Sequence, residues 1–448
     1  MAEILRSVGL DVGTTSTQLI FSELTVENRA GSFSVPEMEI GDRKILYKSP
    51  VHFTPLSGRD KVDGEAIRRL IEGEYAAAGI RRESVDTGAV IITGETSRRE
   101  NAETVLRELS GFAGDFVVAT AGPDLESVLA ARGSGAVAHS AETGKALLHM
   151  DIGGGTANLA LIRNGTITQT GCLNVGGRLI KFDAHHHVTY VSPVLAEFCP
   201  FALGASLSEA DLEPVAQLLT QVLEMAAGLR EPTGLLDRFT TAGTCFPPPD
   251  TPVTISFSGG VADCIDQVLP WDVFGDLGPI LGQCIRRSAL CENYLLGRET
   301  IRATVIGAGC HSTQLSGSTV FYRNIPFPLQ NLPVLQAPAE GLEEFLRREI
   351  PKQETTPVIA LPPCPQSYGS ITALGDLLAA CPLSGPLLLS MEQDMAKALG
   401  QSLALRLPPD RGILCIDRVR LYDGSYLDVG SPVGPALPVV VKTIVLNR

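Results

Sequence analysis

The same strand–turn–strand pattern is written twice in this chain, once around Asp11 and again around Asp151. The first copy runs Ser7-Val-Gly-Leu-Asp-Val-Gly-Thr-Thr-Ser-Thr-Gln-Leu-Ile-Phe21. The second runs Ala146-Leu-Leu-His-Met-Asp-Ile-Gly-Gly-Gly-Thr-Ala-Asn-Leu-Ala-Leu-Ile162. In each copy an apolar run ends in the aspartate, and a glycine (Gly13 or Gly153) follows two positions later. Thr14 and Thr15 answer Gly155 and Thr156, and an apolar run then resumes. Two apolar runs around a glycine turn predict a β-hairpin. A repeat on this scale predicts two similar halves, each opening with that hairpin and facing the other.

A tight turn of Gly, Thr and Ser aims successive backbone N–H groups and hydroxyls at one point, which is a way to hold phosphate oxygens. The candidate phosphate contacts are Gly13, Thr14, Thr15 and Ser16 in the first turn, and Gly153, Gly154, Gly155 and Thr156 in the second. Two carboxylates beside a polyphosphate repel it unless a hard cation intervenes, so Asp11 and Asp151 imply Mg²⁺ held through water. Further on, Ser258-Gly-Gly-Val-Ala262 follows an apolar run. A double glycine there lets a flat base lie against the backbone, which makes Gly259, Gly260 and Val261 candidate nucleotide contacts. Thr304-Val-Ile-Gly-Ala-Gly309 reads as a second strand-then-glycine and adds Gly307. Glu126 opens a helical stretch and is a candidate to orient an attacking water. Gly144-Lys145 lacks the glycine spacing and following hydroxyl of a P-loop. Adjacent histidines, as at His185–His187, do not share a face of a helix or strand and make an awkward chelate.

Between the copies the spacing predicts a helix over 64–78, a buried strand over 89–93, a helix over 98–109, a strand over 116–119 and a helix over 125–131. Downstream, strands are expected at 166–170 and 254–258 and a helix at 213–225. From about residue 321 prolines thicken, then helices and strands alternate, and the last thirty residues read as hairpins. A chain of 448 residues predicts about three domains. The expected boundaries are 1–140, 141–320 and 321–448. The formal net charge of −14 argues against affinity for nucleic acid through phosphate neutralisation. The stretch 303–322 is free of Asp, Glu, Lys and Arg, yet it is too polar for a membrane span. Ten scattered cysteines without a Cys-x-x-Cys pair, and no signal-like N-terminus, predict reduced thiols in a cytoplasmic protein.

The order of these motifs resembles the superfamily of actin, heat-shock chaperones and sugar kinases. Its first phosphate loop is similar to 11–16, its second to 151–156, its adenosine motif to 258–262 and its connecting helix to 126–135. The resemblance implies an α/β fold, the actin-like ATPase fold, with two duplicated halves around a nucleotide cleft and an added C-terminal α/β region. It implies ATP/ADP and Mg²⁺ as ligands. Residues matching Asp11 and Asp151 position the cation and its water, the one matching Glu126 orients the hydrolytic water, and those matching Gly259 and Gly260 pack against adenosine. The lysine that chaperone members place near the phosphates has no clear counterpart, and Lys61 is not placed to be one. Over its whole length, through Ile91-Ile-Thr-Gly-Glu-Thr-Ser-Arg98 to Tyr426-Leu-Asp-Val-Gly-Ser-Pro432, the chain resembles the reactivating-factor family of ethanolamine ammonia-lyase. That implies ATP hydrolysis coupled to release of damaged cobalamin from the lyase, so that adenosylcobalamin rebinds. It also implies that the lyase is the partner, in or beside a bacterial microcompartment. The sequence does not fix an oligomeric state, and a homodimer is one expectation. A small-molecule kinase of the same superfamily, with Asp183 or Asp263 as its base, stays open. So do an actin-like scaffold and a hydantoinase-like hydrolase.

Overall fold

The computed structural model describes residues 3–13, 16–28, 38–57, 61–92, 109, 123–241, 245–311, 313–316, 319–352, 355–365, 367–380, 385–419, 421 and 425–443. The expected strand 116–119, nearly all of the expected helix 98–109, and Thr14 and Thr15 lie outside them.

Both repeats form the expected hairpins. Strand Glu3–Val12 pairs antiparallel with Ser16–Asn28, so that Asp11 stands opposite Gln18. Strand Leu147–Ile152 pairs with Ala157–Arg163, so that Asp151 stands opposite Asn158. The turns close with the same bond: Gly13 N–H donates to Ser16 O (2.8 Å), and Gly153 N–H to Thr156 O (2.9 Å). The duplication extends to a third strand. Thr87–Ile92 lies parallel to the first strand, placing Ile91 beside Asp11. Thr254–Ser258 lies parallel to Leu147–Ile152, placing Ser258 beside Asp151. The outer strands are Met38–Lys48 in the first sheet, and Thr166–Leu173 and Tyr294–Leu296 in the second.

Each sheet has two covered faces. In the first, Val8, Leu10, Val12, Leu19 and Phe21 pack on Ile67, Ile71 and Tyr75 of helix Gly64–Ala78. That helix starts at an Asp63 side-chain cap and ends at left-handed Gly79, as the sequence punctuation directs. In the second sheet, Leu148, Met150, Ile152 and Leu159 pack with Leu212, Val215, Leu219 and Leu223 of helix Glu209–Ala226. Burying each such side chain contributes about 2 kcal/mol.

The opposite faces, which carry Asp11 and Asp151, are covered by two helices that cross. Helix Pro123–Gly133 lies on the second sheet, where Ala131 packs with Leu147, Ala160 and Ile162. Helix Ala303–His311 lies on the first, against Gly9. The expected strand at 304–309 is therefore corrected to a helix. Its glycines permit the crossing. A Cβ on Gly307 would stand 2.1 Å from Leu129 O, and one on Gly133 would stand 1.9 Å from Ala303 O.

The C-terminal region is an eight-stranded sheet of its own. Its centre is parallel: Leu329–Gln336, Val358–Ala360, Leu387–Met391 and Ile413–Asp417. Helices Leu342–Glu349, Tyr368–Ala379 and Ala396–Ala404 alternate with them and cover one face. Antiparallel strands Thr313–Leu315, Ser425–Val429 and Pro438–Thr443 extend it on one side, and Phe321–Arg323 on the other. Among the described residues no helix is long and apolar enough to cross a membrane, and every cysteine is a free thiol.

Candidate functional site

The two turns sit at matching ends of their sheets, and one segment touches both. Gln18, opposite Asp11, donates from Nε2 to Ile301 O (3.1 Å). Three residues on, Thr304 Oγ1 lies 3.4 Å from Asp151 Oδ2, in the first turn of the helix that packs under Gly9. The start of helix Ala303–His311 thus joins the first hairpin to the second carboxylate. A helix N-terminus beside a carboxylate is electrostatically favourable.

Asp11 is half-buried, whereas Asp151 is only 8% exposed. Burial pushes the Asp151 carboxyl up to about 6, although hydrogen bonds from Ser258 and Thr304 oppose the shift. Ser258 Oγ donates to Asp151 Oδ1, so its oxygen is left to accept from His149 Nε2 (2.9 Å). His149 Nδ1 then accepts from Ser256 Oγ (3.1 Å). Burial keeps this imidazole neutral, lowering its value to about 3. The relay Ser256–His149–Ser258 therefore delivers a hydroxyl donor to Asp151 and holds the carboxylate in place.

The glycines of the second turn divide by what stands opposite them. A Cβ on Gly155 would meet nothing within 4 Å, and one on Gly153 only Thr156 O at 3.6 Å. Gly154 lies against the aliphatic stem of Arg178, at 3.4–3.5 Å. The following loop buttresses the turn. Gly177 N–H donates to Gly153 O (3.0 Å) and Arg178 N–H to Gly154 O (2.6 Å). Gly153, Gly154, Gly155 and Thr156 are half-buried, as is Ser16, while Gly13 is buried.

At the double glycine the two residues differ. Gly259 has φ +87, and a Cβ there would stand 2.3 Å from Ile152 O. Gly260 is open, its nearest neighbour being Ile301 Cδ1 at 4.0 Å. Val261 N–H donates to Ile152 O (3.1 Å) while its side chain lies in the second core. The turn is thus docked onto the strand that carries Asp151, with Gly260 as its open face. Gly307 is a correction: it sits within a helix, its Cα against Leu129, and faces another helix where a nucleotide contact was expected. Glu126 lies on the expected helix but is only 7% exposed, and it accepts from Asn158 Nδ2 (2.8 Å).

Carboxylate oxygen at both turns is the hard donor type that Mg²⁺ takes. Among the described residues no three His, Cys, Asp or Glu side chains converge as metal ligands. The donor set fits a cation held by Asp11 and Asp151 mostly through its waters.

A family model described as Ethanolamine utilisation protein EutA matches residues 3–447. The chain belongs to the EutA family. A Salmonella typhimurium relative, named Ethanolamine ammonia-lyase reactivase EutA, is 39% identical over 469 residues, covering 98% of each chain. An Escherichia coli relative of the same name is 40% identical over 472 residues, again covering 98% of each. Similar solved structures include the Aquifex aeolicus member of the Ppx/GppA family, at 14% identity and TM-score 0.40 over 68% of this chain and 97% of that one. Another is EutJ from Carboxydothermus hydrogenoformans, at 16% identity and TM-score 0.35 over 68% and 88%.

In this EutA family member, sequence reasoning missed two site residues. Arg178 follows a second glycine pair, Gly176-Gly177, and that pair was its one visible signal. Its Nε donates to Asp276 Oδ2 (3.1 Å), and burial raises the Asp276 carboxyl even beside that cation. His149 is a second polar residue, besides Asp151, in a strand whose other residues are apolar, and that was a signal in itself. The run His185–His187 is a surface loop in which His186 Nε2 lies 3.0 Å from Asp272 Oδ2.

Proposed function

We propose that this chain is an ATP-dependent reactivase of ethanolamine ammonia-lyase. The carrying observation is similarity over 98% of the chain to two relatives bearing that name. In this reading ATP or ADP binds between the hairpins. Backbone N–H groups of the turns around Gly13 and Gly153–Gly155 hold the phosphates, and the adenosine lies on the open face of Gly260. Asp11 and Asp151 hold Mg²⁺ through water, and the ion supplies charge neutralisation at the phosphates. Glu126 is buried, so it acts on the cleft through Asn158. Exchange or hydrolysis of the nucleotide shifts the two halves, provided that ATP and ADP differ in affinity for the two arrangements. The lyase, as the bound partner, then releases damaged cobalamin and takes up adenosylcobalamin. The protein works in the cytoplasm, in or beside a microcompartment.

The kinase alternative needs a base, and its two candidates are otherwise engaged. Asp183 is exposed and accepts from the backbone of His185 and His187, while Asp263 accepts from Thr300 Oγ1. The test mixes inactivated lyase with this protein, ATP, Mg²⁺ and adenosylcobalamin. Recovery of lyase activity that needs every component is the expected result. No recovery, or recovery without nucleotide, overturns the reading.

A further inference from the structure

The chain crosses from the second half back to the first at residues 297–302. Strand Tyr294–Leu296 belongs to the second sheet, and helix Ala303–His311 lies on the first, so this segment joins them. A few residues at the ends of elements are what a hinge is made of. Contacts to the two halves alternate along the segment. Gly297 N–H donates to Phe257 O (2.9 Å), Gly259 N–H donates to Thr300 O (3.1 Å), and Thr300 Oγ1 donates to Asp263. These tie it to the strand and turn of the double glycine. On the other side Glu299 pairs with Lys48, Ile301 O accepts from Gln18, and Arg302 Nη2 donates to Ser49 O (3.0 Å). These tie it to the first sheet, where Lys48 ends the outer strand.

Both sets of contacts lead to the proposed nucleotide site. Ile301 Cδ1 is the atom nearest the open side of Gly260. Lys48 and Ser49 run on into residues 52–54, which brace the first turn. His52 and Phe53 pair with Thr17 and Ser16, and Thr54 Oγ1 donates to Gly13 O (2.8 Å). That brace is pinned in turn to helix Gly64–Ala78, where the buried Glu74 carboxylate lies 2.7 Å from His52 Nε2 and accepts from Tyr47 OH (2.6 Å). Lys48 thus stands on a braced corner of the first half, while Glu299 rides on the segment that turns if the halves move.

The three ties to the first half differ in kind. Gln18 is buried and Arg302 partly so, and both hold backbone carbonyls. Lys48 and Glu299 have side chains 36% and 28% exposed, so this pair can part in water without leaving a buried charge unpaired. We propose that Lys48 and Glu299 form a latch across the crossing segment that sets how fast nucleotide leaves the cleft. The bonds at Ile301 and Arg302 serve as the pivot and stay made, and the ion pair opens. Both are positioning residues, acting on the nucleotide through the segment that carries Ile301. The inference rests on the nucleotide reading above.

The test uses the full chain and the variants Lys48→Gln, Glu299→Gln and Lys48→Arg, with thermal melting to show that each is folded. A fluorescent ADP is bound in Mg²⁺ and chased with excess ADP in stopped flow, at salt from about 0.1 M to about 1 M, over which the screening length falls from roughly 10 Å to roughly 3 Å. Release from each Gln variant should be about threefold faster than from the parent at the lower salt. That is about 0.7 kcal/mol, the size of a partly exposed ion pair. The ratio should shrink toward one at the higher salt, and Lys48→Arg should keep the parent rate. Parent-like release from both Gln variants overturns the latch while the nucleotide reading stands. So does a ratio that salt leaves unchanged, or equal acceleration in Lys48→Arg, since neither marks an ion pair. If the parent binds no ADP, the nucleotide reading fails and this inference falls with it.

Discussion

The adjacent glycines 259 and 260 predict opposite results from the same substitution. Gly259→Ala puts a methyl 2.3 Å from Ile152 O, 2.6 Å from Ile152 C and 2.8 Å from Ile152 N. All three are backbone atoms of a central strand, so no flexible side chain can yield. The residue also sits at φ +87, where an L side chain costs about 1–2 kcal/mol. Overpacking against the strand adds about 1–3 kcal/mol. The sum, about 2–5 kcal/mol, lowers the apo melting temperature by roughly 5–15 °C for a domain of this size. Gly260→Ala meets only Ile301 Cδ1, at 4.0 Å, and has no positive φ to lose. Its apo melting temperature should match the parent's. A base stacked on that Cα would be pushed off by the added methyl, and a tenfold loss of ADP affinity corresponds to about 1.4 kcal/mol. Melting by fluorimetry and ADP titration, run on both variants, separate the two effects. An unchanged melting temperature in Gly259→Ala would refute the docking of this turn on Ile152. Unchanged ADP affinity in Gly260→Ala would remove the adenosine from that face.

Asp11→Asn and Asp151→Asn should each abolish most Mg²⁺-dependent ATP hydrolysis while leaving a folded protein by circular dichroism, and parent-like rates in both would sink the assignment of the loops. Arg178→Met strips the cation from the nearly buried Asp276 and loosens the loop that buttresses Gly153 and Gly154. It should destabilise by about 1–3 kcal/mol in denaturant, discounted because the arginine is partly exposed, and an unchanged midpoint would count against that role. In the C-terminal sheet burial raises the Asp417 carboxyl, outweighing the bonds it accepts from Thr319 and the Ala396 N–H. A carboxyl raised on folding contributes stability present below its unfolded value, near 4, and lost as pH rises through its folded one. Asp417→Asn does not titrate, so its melting temperature relative to the parent should climb between pH 4 and pH 8. A difference that stays flat or falls contradicts this.

What the sequence made legible was local. The hairpins could be read because an apolar run, an aspartate and a glycine turn within a dozen residues determine one another, and the turns close with the same bond in both copies. The stretch 304–309 reads as a strand because Val305, Ile306 and its glycines have the composition of a strand ending in a turn. It is helical because its glycines let it cross helix Pro123–Gly133 at backbone contact, a fact that belongs to residues more than 150 positions away. Arg178 and His149 escaped for the same reason. One acquires its place from Gly154 and Asp276, the other from Ser256 and Ser258. The glycines make the distinction sharpest. Gly155 and Gly260 look into open space, whereas Gly133, Gly259 and Gly307 look at backbone within 2.5 Å. A sequence writes both kinds with one letter, so a glycine motif marks where a chain allows close approach without saying what approaches. Here the partner at Gly259 is Ile152, on the strand that bears Asp151. The double-glycine turn therefore also fixes the strand from which the second carboxylate projects.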